Sequence, residues 1–155
     1  MTLNCNGKIL DLKTPKIMGI LNLTPDSFYD GGKYQSVKLA IDRCYEMLKQ
    51  GADIIDIGAA SSRPGSKIIS EKEELRRLSA ILKTLVKEFN SVIFSVDTFR
   101  SLIAKASLDA GVAIVNDITA GKFDSKMLPL VGKYNAVYVA MHMQGVPSNM
   151  QENPS

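Results

Sequence analysis

The sequence predicts an α/β fold in which parallel strands alternate with helices. Short, nearly all-apolar segments recur five times along the 155 residues, and segments with apolar residues at helical spacing lie between them. Strands buried on both faces read as continuous apolar runs, and strict alternation with short links is typical of a parallel sheet with right-handed crossovers. With 45% apolar residues, the chain fits one domain-sized unit with a sizeable core.

The individual elements follow from local signals. Residues 3–10 predict a small β-ribbon that covers one end of the fold, because apolar residues flank Asn6-Gly7, a favoured dipeptide for a tight hairpin turn. A helix over 36–50 has one apolar face and is expected to end at Gly51. Another opens at Ser70, with Glu73 placed as in a capping box. The remaining predicted segments are strands at 16–23, 54–57, 92–96, 113–115 and 136–141 and helices near 100–110 and 125–134.

An eight-stranded barrel and an open doubly wound sheet both satisfy this order. Each strand carries a polar residue at its C-terminal end, where barrels collect catalytic groups, and no Gly-x-Gly-x-x-Gly follows any strand. We therefore predict a (β/α)8 TIM barrel, here truncated to about its first five strands and four helices with an N-terminal β-hairpin. Because a whole barrel needs about 250 residues, residues 1–155 are expected to form a single barrel domain that lacks its C-terminal strands and helices.

Composition narrows the function. The net charge of +3 is small and the basic residues are scattered, which argues against a nucleic-acid partner. No apolar run reaches the roughly 18 residues of a membrane span and no signal sequence is evident, so we expect a cytoplasmic protein without a membrane partner. Cys5 and Cys44 have no CxxC spacing and there is a single histidine, so we expect reduced, buried thiols and no zinc site.

Four polar side chains at different strand ends form the first candidate site: Asn22, Asp56, Asp97 and Asn116. In a closed barrel they would converge on the axis, where carboxylates and amides can hydrogen-bond a nitrogen-rich heterocycle and the acids can stabilise a developing cation. The alternative interpretation is that each residue caps a helix or forms a turn at a strand-to-helix junction.

Two loop segments add further candidates. Arg63 lies between small residues and the stiff Pro64-Gly65 pair, an arrangement suited to bidentate contact with phosphate oxygens, although a solvent-facing arginine in a turn is the alternative. Residues 26–32 carry aromatic side chains that can cover a planar ligand and glycines that let a loop move, and a static surface loop would look similar.

At these segments the chain resembles the dihydropteroate synthases of the pterin-binding barrel family. The matching segments, in family order, are 18–28, 30–32, 51–58, 62–65, 95–98, 116–118, 141–145 and 150–152. The resemblance implies a transferase of folate biosynthesis and a sulfonamide target. Such an enzyme condenses 6-hydroxymethyl-7,8-dihydropterin diphosphate with 4-aminobenzoate, and the products are 7,8-dihydropteroate and diphosphate.

The resemblance also implies residue roles. Asn22 would meet the diphosphate and its Mg²⁺ ion, Arg63 would meet the diphosphate, and these two residues with Asp97 would form the catalytic set. The other implied contacts are with the pterin, from Asp56, Asp97, Asn116, Ile118 and Met141, and with the aminobenzoate, from Phe28, Ser62 and Pro64. His142, the only histidine, is interpreted as a hydrogen-bonded structural residue and is left out of the set.

Two departures from the family pattern qualify this carry-over. Many members have Gly-Gly-Glu-Ser-Thr-Arg-Pro-Gly where residues 58–65 read Gly-Ala-Ala-Ser-Ser-Arg-Pro-Gly, so an acidic residue is absent and Ser62 replaces threonine. Later strands of the family supply another acid, a lysine and a basic diphosphate clamp, so we expect the chain as given to be inactive or weakly active. The rival hypotheses are a non-catalytic pterin-binding fragment and a relative of the corrinoid-linked methyltetrahydrofolate methyltransferases.

The expected partners are the two small-molecule substrates. A homodimer is expected for the complete enzyme. The chain as given is expected to self-associate, because a barrel cut after its fifth strand leaves unpaired strand edges.

Overall fold

The computed structural model describes residues 1–23, 32–59 and 69–142, with the side chains of residues 32–35 left aside. The predicted alternation of strands and helices is confirmed in these ranges. The elements in chain order are β1 (Thr2–Cys5), β2 (Lys8–Asp11), β3 (Met18–Asn22), α1 (Gly32–Lys49), β4 (Ile54–Gly58), α2 (Glu71–Glu88), β5 (Ile93–Asp97), α3 (Ser101–Asp109), β6 (Ile114–Asp117), α4 (Met127–Tyr134) and β7 (Val137–Ala140).

The strand order decides between the two predicted architectures. Strands β3 to β7 form one parallel sheet in strictly sequential order, and β1 and β2 form a separate antiparallel hairpin. A doubly wound sheet reverses its order at a switch point, whereas a barrel wall adds each strand beside the previous one. The described part of the chain is therefore a portion of a barrel, as predicted.

The two faces of this sheet have different roles. Leu21, Ile57, Val96 and Val115 pair across neighbouring strands and form one row of the main core. These side chains are buried with apolar residues of the helices, which fixes the outer face of the wall. Because side chains alternate along a strand, the residues between them lie on the inner face.

The hairpin covers the N-terminal ends of the strands, as predicted. Asn6 and Gly7 have φ values of +53° and +84°, the left-handed pair that a two-residue hairpin turn requires. Leu10 of β2 packs in a second buried cluster with Ile54 and Ile93 of the sheet. The opposite rim, formed by the C-terminal strand ends, is therefore where the polar candidates lie.

Both cysteines are free and buried, as expected. Burial raises the pKa of the Cys5 thiol, and it raises the pKa of Cys44 to about 12. A thiol with a raised pKa is a poor nucleophile at neutral pH, which supports a packing role for both.

Element boundaries differ from the predictions in two ways. Helix α1 begins at Gly32, and Ser36 is buried inside it, because the helix starts with a polar turn that precedes the apolar periodicity. Strands β5 and β6 extend past their apolar runs to Asp97 and Asp117, because the backbone of a polar residue continues the ladder as well as that of an apolar one. The capped start at Ser70 is confirmed, since its Oγ accepts a hydrogen bond from the Glu73 N–H at 3.2 Å.

Strands β3 and β7 are the edges of the described sheet. Two large apolar side chains in the strands at these edges are exposed, Ile20 at 65% and Val139 at 40%. The predicted strand edges are present, and the self-association expected from them stays a prediction. None of the described helices combines the length and apolar character that crossing a bilayer requires.

Gly111→Ala is expected to destabilise the fold by about 1–3 kcal/mol. Gly111 has a φ of +103°, and an added Cβ would lie 2.9 Å from Val86 Cγ1, so alanine meets both backbone strain and a clash. Gly132→Ala is the control, because a Cβ there meets nothing within 4 Å and helix α4 favours alanine. Urea unfolding should show a lower midpoint for the first variant and a raised or unchanged one for the second; equal midpoints would contradict the strain at Gly111.

Candidate active site

A row of polar residues lies across the C-terminal ends of the parallel strands. The register pairs Asn22 with Gly58, Gly58 with Asp97, and Asp97 with Asn116. Paired residues of adjacent strands have their side chains on the same face of a sheet, here the inner one. Asp56 lies two residues before Gly58 and therefore shares that face. The structure thus brings the four predicted polar residues together.

Asp56 is the most deeply placed of the four, with 4% of its surface exposed. Asn116 Nδ2 donates a hydrogen bond to Asp56 Oδ2 at 3.0 Å. The other carboxylate oxygen, Oδ1, is buried without a hydrogen-bond partner, and so is the Oγ of Ser95, the residue that pairs with Asp56 on β5. Buried polar atoms are nearly always satisfied, so these two unsatisfied atoms on paired residues distinguish the inner face at Asp56 from the rest of the described core.

The environment of Asp56 also shifts its ionisation. Burial raises the pKa of Asp56, while the neighbouring Ser95 hydroxyl and the Asn116 amide act in the opposite direction. The hydroxyl influences the charge although it makes no hydrogen bond of regular geometry. A ligand that donates N–H groups to the Asp56 carboxylate would therefore stabilise its charged form.

Asn22 and Asp97 border a small space above Gly58. A Cβ built on Gly58 would lie 3.3 Å from Asn22 Oδ1 and 3.5 Å from Asp97 Oδ2. The absence of a side chain at Gly58 keeps this space open between an amide oxygen and a carboxylate oxygen. Hard oxygen donors of this kind suit Mg²⁺.

The described residues fit a Mg²⁺ site in which the protein supplies only part of the ligands. Within the described ranges, no group of three or more His, Cys, Asp and Glu side chains could hold a metal ion. Mg²⁺ often keeps several waters and binds through one or two protein oxygens together with substrate phosphates. Asn22 is an exposed residue whose amide oxygen lies beside Gly58, and it fits such a ligand.

The alternative role as a helix N-cap is wrong for Asp56, Asp97 and Asn116, whose strands lead into helices α2, α3 and α4, and it stays open for Asn22. The N-cap residues there are Ser70, Arg100 and Lys126. A turn-forming role does apply to Asp117, whose carboxylate accepts hydrogen bonds from Thr119 N and Oγ1, Gly121 N and the Tyr138 hydroxyl. Asp117 shapes the turn after β6, whereas Asn116 beside it faces the site.

Ile118 and Met141 lie at the same rim. They directly follow Asp117 and Ala140, the last paired residues of β6 and β7, and both are half-buried. His142 comes next and is exposed, and no hydrogen bond to it is found among the described residues, so the structural bond expected for it is not observed there. Phe28, Ser62, Arg63 and Pro64 lie outside the described residues, and their roles stay predictions.

Two features of the rim were missed by sequence reasoning. Ser95 sits inside an apolar strand, and its position two residues before Asp97 was the signal that it faces inward. Glu74 has 1% of its surface exposed and bonds Thr98 Oγ1 at 2.8 Å. Its spacing of four residues from Leu78, which belongs to the apolar stripe of α2, would have placed it on the buried side.

Residues 18–155 match the protein family described as pterin binding enzyme. This match covers most of the chain. The chain therefore belongs to the pterin-binding enzyme family.

Curated relatives carry two kinds of name. A mitochondrial folate synthesis bifunctional protein of Pisum sativum is 49% identical over 150 residues, which are 96% of this chain and 29% of that protein. A dihydropteroate synthase of Staphylococcus epidermidis is 51% identical over 132 residues, which are 82% of this chain and 48% of that enzyme. The chain thus spans about half or less of the length of the relatives it matches.

Solved structures show the same likeness. The Yersinia pestis dihydropteroate synthase with a sulfonamide drug complex has a TM-score of 0.87 and 41% identity, and the match covers 100% of this chain and 56% of that one. The Xanthomonas albilineans dihydropteroate synthase with 4-aminobenzoic acid has a TM-score of 0.83 and 38% identity, and the match covers 92% of this chain and 52% of that one. These matches confirm the predicted fold class.

Proposed function

We propose that this chain supplies the pterin-binding part of a dihydropteroate synthase. The reaction condenses 6-hydroxymethyl-7,8-dihydropterin diphosphate with 4-aminobenzoate, and it releases 7,8-dihydropteroate and diphosphate. The observation that carries the proposal is the buried pair of Asp56 and Asn116, with the unpartnered Asp56 Oδ1, on the inner face at the strand ends. The names of the relatives and the family membership support it.

The pterin fits this pair by hydrogen-bond chemistry. A dihydropterin edge presents amino and ring N–H donors beside ring and carbonyl acceptors. Asp56 Oδ1 is a buried acceptor that makes no hydrogen bond of regular geometry, and Asn116 carries both a donor and an acceptor. Ile118 and Met141 are half-buried apolar side chains at the same rim, suited to pack near the ring.

The bond changes proceed on the substrate. The C–O bond between the pterin methylene and the diphosphate breaks, and its electron pair leaves with the diphosphate oxygen. The resulting cation is delocalised into the pterin ring, and the carboxylate of Asp97 balances its charge. The amino nitrogen of aminobenzoate then forms a bond to the methylene and gives up one proton to the departing diphosphate or to water. Phe28 and Pro64 are proposed to exclude water that would trap the cation.

The diphosphate is proposed to meet Arg63, which can bind phosphate oxygens bidentately, and Asn22. Asn22 would also hold Mg²⁺ through its amide oxygen, and Mg²⁺ when bound would neutralise charge on the diphosphate. Ser62, beside Arg63 in the sequence, would contact the aminobenzoate. These assignments rest on the strand-end geometry at Asn22 and on the family resemblance at the loop residues.

Assembly and location remain predictions. A homodimer of the complete enzyme and a cytoplasmic location are both inferred from the sequence. The Pisum sativum relative and one from Arabidopsis thaliana have "mitochondrial" in their names, so cell fractionation is the measurement that decides the location.

The first test measures ligand binding and product formation with the 155-residue chain in the presence of magnesium. We expect binding of the pterin diphosphate and little or no dihydropteroate, because the chain covers only 48% of the staphylococcal enzyme. Diphosphate-dependent binding that yields no product even when the remaining residues of the Staphylococcus epidermidis enzyme are joined to the chain would favour the second candidate, a non-catalytic pterin-binding fragment. Preference for methyltetrahydrofolate would favour the methyltransferase relatives, and absence of binding to any pterin would contradict the proposal.

A further inference from the structure

A buried serine lies beside Asp56 on the inner face of the sheet. Ser95 is in the middle of β5, and none of its surface is exposed. The register pairs it with Asp56 of β4, and neighbouring strands are about 4.8 Å apart, so the two side chains are direct neighbours. Asp97 follows two residues later on the same face of β5. Ser95 therefore lies one layer deeper in the sheet than the strand ends.

The surroundings of the Ser95 side chain are otherwise apolar. The residues that pair across the inner face at this level are Ile20, Asp56, Ser95, Ile114 and Val137. The layer below contains Ile54 and Ile93, which belong to a buried apolar cluster. In this row of paired residues, Asp56 is therefore the only polar neighbour of the Ser95 hydroxyl.

The two neighbours have complementary polar atoms. The Ser95 hydroxyl and Asp56 Oδ1 are both buried and make no hydrogen bond of regular geometry. The hydroxyl is a donor whose hydrogen rotates to suit its acceptor, and the carboxylate oxygen is an acceptor. The hydroxyl also favours the charged form of the carboxylate, since it lowers the pKa of Asp56 against the effect of burial. Ser95 is therefore placed to donate a hydrogen bond to Asp56.

Such a bond would fix the orientation of the Asp56 carboxylate. Asn116 Nδ2 already donates to Oδ2 at 3.0 Å. The terminal torsion of an aspartate is broad, so a single hydrogen bond leaves the plane of the carboxylate able to turn. A second donor at Oδ1 would hold that plane. Each carboxylate oxygen has two acceptor positions, so both oxygens could still accept N–H groups from a ligand.

Packing alone is a weak explanation for a serine at this position. The adjacent residues of β5 are Ile93, Phe94 and Val96, and all of them are buried. Burying a hydroxyl without a good hydrogen bond costs free energy, and an alanine would avoid that cost. An alanine could not donate to Asp56 Oδ1, however. The hydroxyl therefore has a consequence for the carboxylate that an apolar side chain would not have.

We propose that Ser95 is a positioning residue, whose hydroxyl donates to Asp56 and holds its carboxylate in the plane that accepts N–H groups of the pterin. This inference rests on the proposed function, in which Asp56 binds the pterin. Ser95 itself does not touch the ligand, because none of its surface is exposed. Its effect on binding therefore acts through Asp56.

The test measures the affinity of the 155-residue chain for 6-hydroxymethyl-7,8-dihydropterin by calorimetry. This ligand lacks the diphosphate and reports on the pterin contacts alone. Ser95→Ala removes the hydroxyl, whereas Ser95→Cys keeps a similar shape but is only a weak donor. The matched control is Ser107→Ala, since Ser107 is equally buried and its hydroxyl donates to the Ile103 carbonyl oxygen at 2.9 Å. Thermal melts of all proteins verify folding.

The expected losses are equal for the two variants at Ser95. Each should bind the pterin about three- to tenfold more weakly, because each lacks one good hydrogen bond to the carboxylate. In a chain that also carries Asp56→Asn, Ser95→Ala should cost less than about twofold further, since the carboxylate through which it acts is already absent. Ser107→Ala should keep the affinity of the unaltered chain.

A second measurement needs no ligand. NMR of the aspartate carboxyl carbons gives one resonance for Asp56, which is identified by its loss in Asp56→Asn. The resonance should shift in both variants at Ser95, because a donor to the carboxylate has been removed or weakened. It should keep its position in Ser107→Ala.

Every other outcome overturns one of the two claims. The positioning role is wrong, and the proposed function stands, if both folded variants at Ser95 keep the affinity, even with a shifted resonance. It is also wrong if Ser95→Cys binds normally while Ser95→Ala does not, since packing then explains the loss. An equal loss in the Asp56→Asn chain, or an unshifted resonance, shows that Ser95 does not act through Asp56. An unaltered chain that binds no pterin overturns the proposed function and the positioning role with it.

Discussion

Asp97→Asn is expected to lower the turnover of a completed enzyme by about a hundredfold or more, while the affinity for 4-aminobenzoate changes only a few-fold. The amide keeps the size of the carboxylate but removes the negative charge that balances the pterin cation. Because that cation exists only after the C–O bond has begun to break, the loss falls on the chemical step and not on binding.

The measurement uses a chimera in which this chain precedes the remaining residues of the Staphylococcus epidermidis dihydropteroate synthase, with which it shares 51% identity. Steady-state rates give kcat, and equilibrium binding of aminobenzoate in the presence of diphosphate gives the affinity. Asp109→Asn is the matched control, because Asp109 is an exposed aspartate of α3 paired with Lys105 at 2.6 Å. Near-normal turnover of Asp97→Asn, in an active chimera, would remove Asp97 from the catalytic role.

The convergence of the polar residues could be predicted because it depends on topology more than on local detail. An apolar run followed by Asn22, Asp56 or Asp97 locates a strand end. Sequential addition of parallel strands then puts all such ends at one rim. Neither step depends on the position of any single side chain. The predicted convergence was therefore correct although the strand boundaries were wrong by a few residues.

The distinct roles of Asn116 and Asp117 needed the structure. Side chains alternate between the two faces of a strand, so which of the two faces inward depends on how far the strand extends. The predicted strand ended before either of them, at Val115. The ladder continues through both residues and pairs Asn116 with Asp97, so Asp117 falls on the other face, where it organises a turn. A one-residue change in the assumed register would have exchanged the two side chains.

The buried polar cluster of Glu74, Thr98 and Arg100 could not be predicted for a different reason. Glu73, Glu74, Arg76 and Arg77 read as a charged, solvated stretch of a helix, and helical spacing alone does not tell whether a charge has a buried partner. Thr98 and Arg100 come from a separate strand-to-helix junction, 24 and 26 residues away from Glu74. Only the packing of α2 against the end of β5 brings them together.

Asp56→Asn is expected to stabilise the unliganded chain at neutral pH by about 1 kcal/mol or more and to weaken pterin binding by about ten- to a hundredfold. The folded-state pKa of Asp56 is raised above the ordinary value of 3.8 because burial disfavours the charged form. Its contribution to stability is therefore greatest at low pH and is lost as the pH rises through the folded-state pKa. Asparagine carries no such charge, and its amide can donate to the unpartnered Ser95 hydroxyl.

Urea unfolding from about pH 4 to about pH 7 checks the sign, since the advantage of the variant should grow with pH across that window. Asp109→Asn is the control, because Lys105 and Tyr134 lower the pKa of Asp109 below its ordinary value of 3.8, so the effect of that substitution should change little across this window. Ligand binding is then measured on the same two proteins at neutral pH. If the variant at Asp56 gains stability and loses pterin affinity, the buried carboxylate destabilises the unliganded chain and is needed to bind the ligand. A variant that binds pterin as tightly as the original chain would show instead that the unpartnered oxygen does not face the ligand.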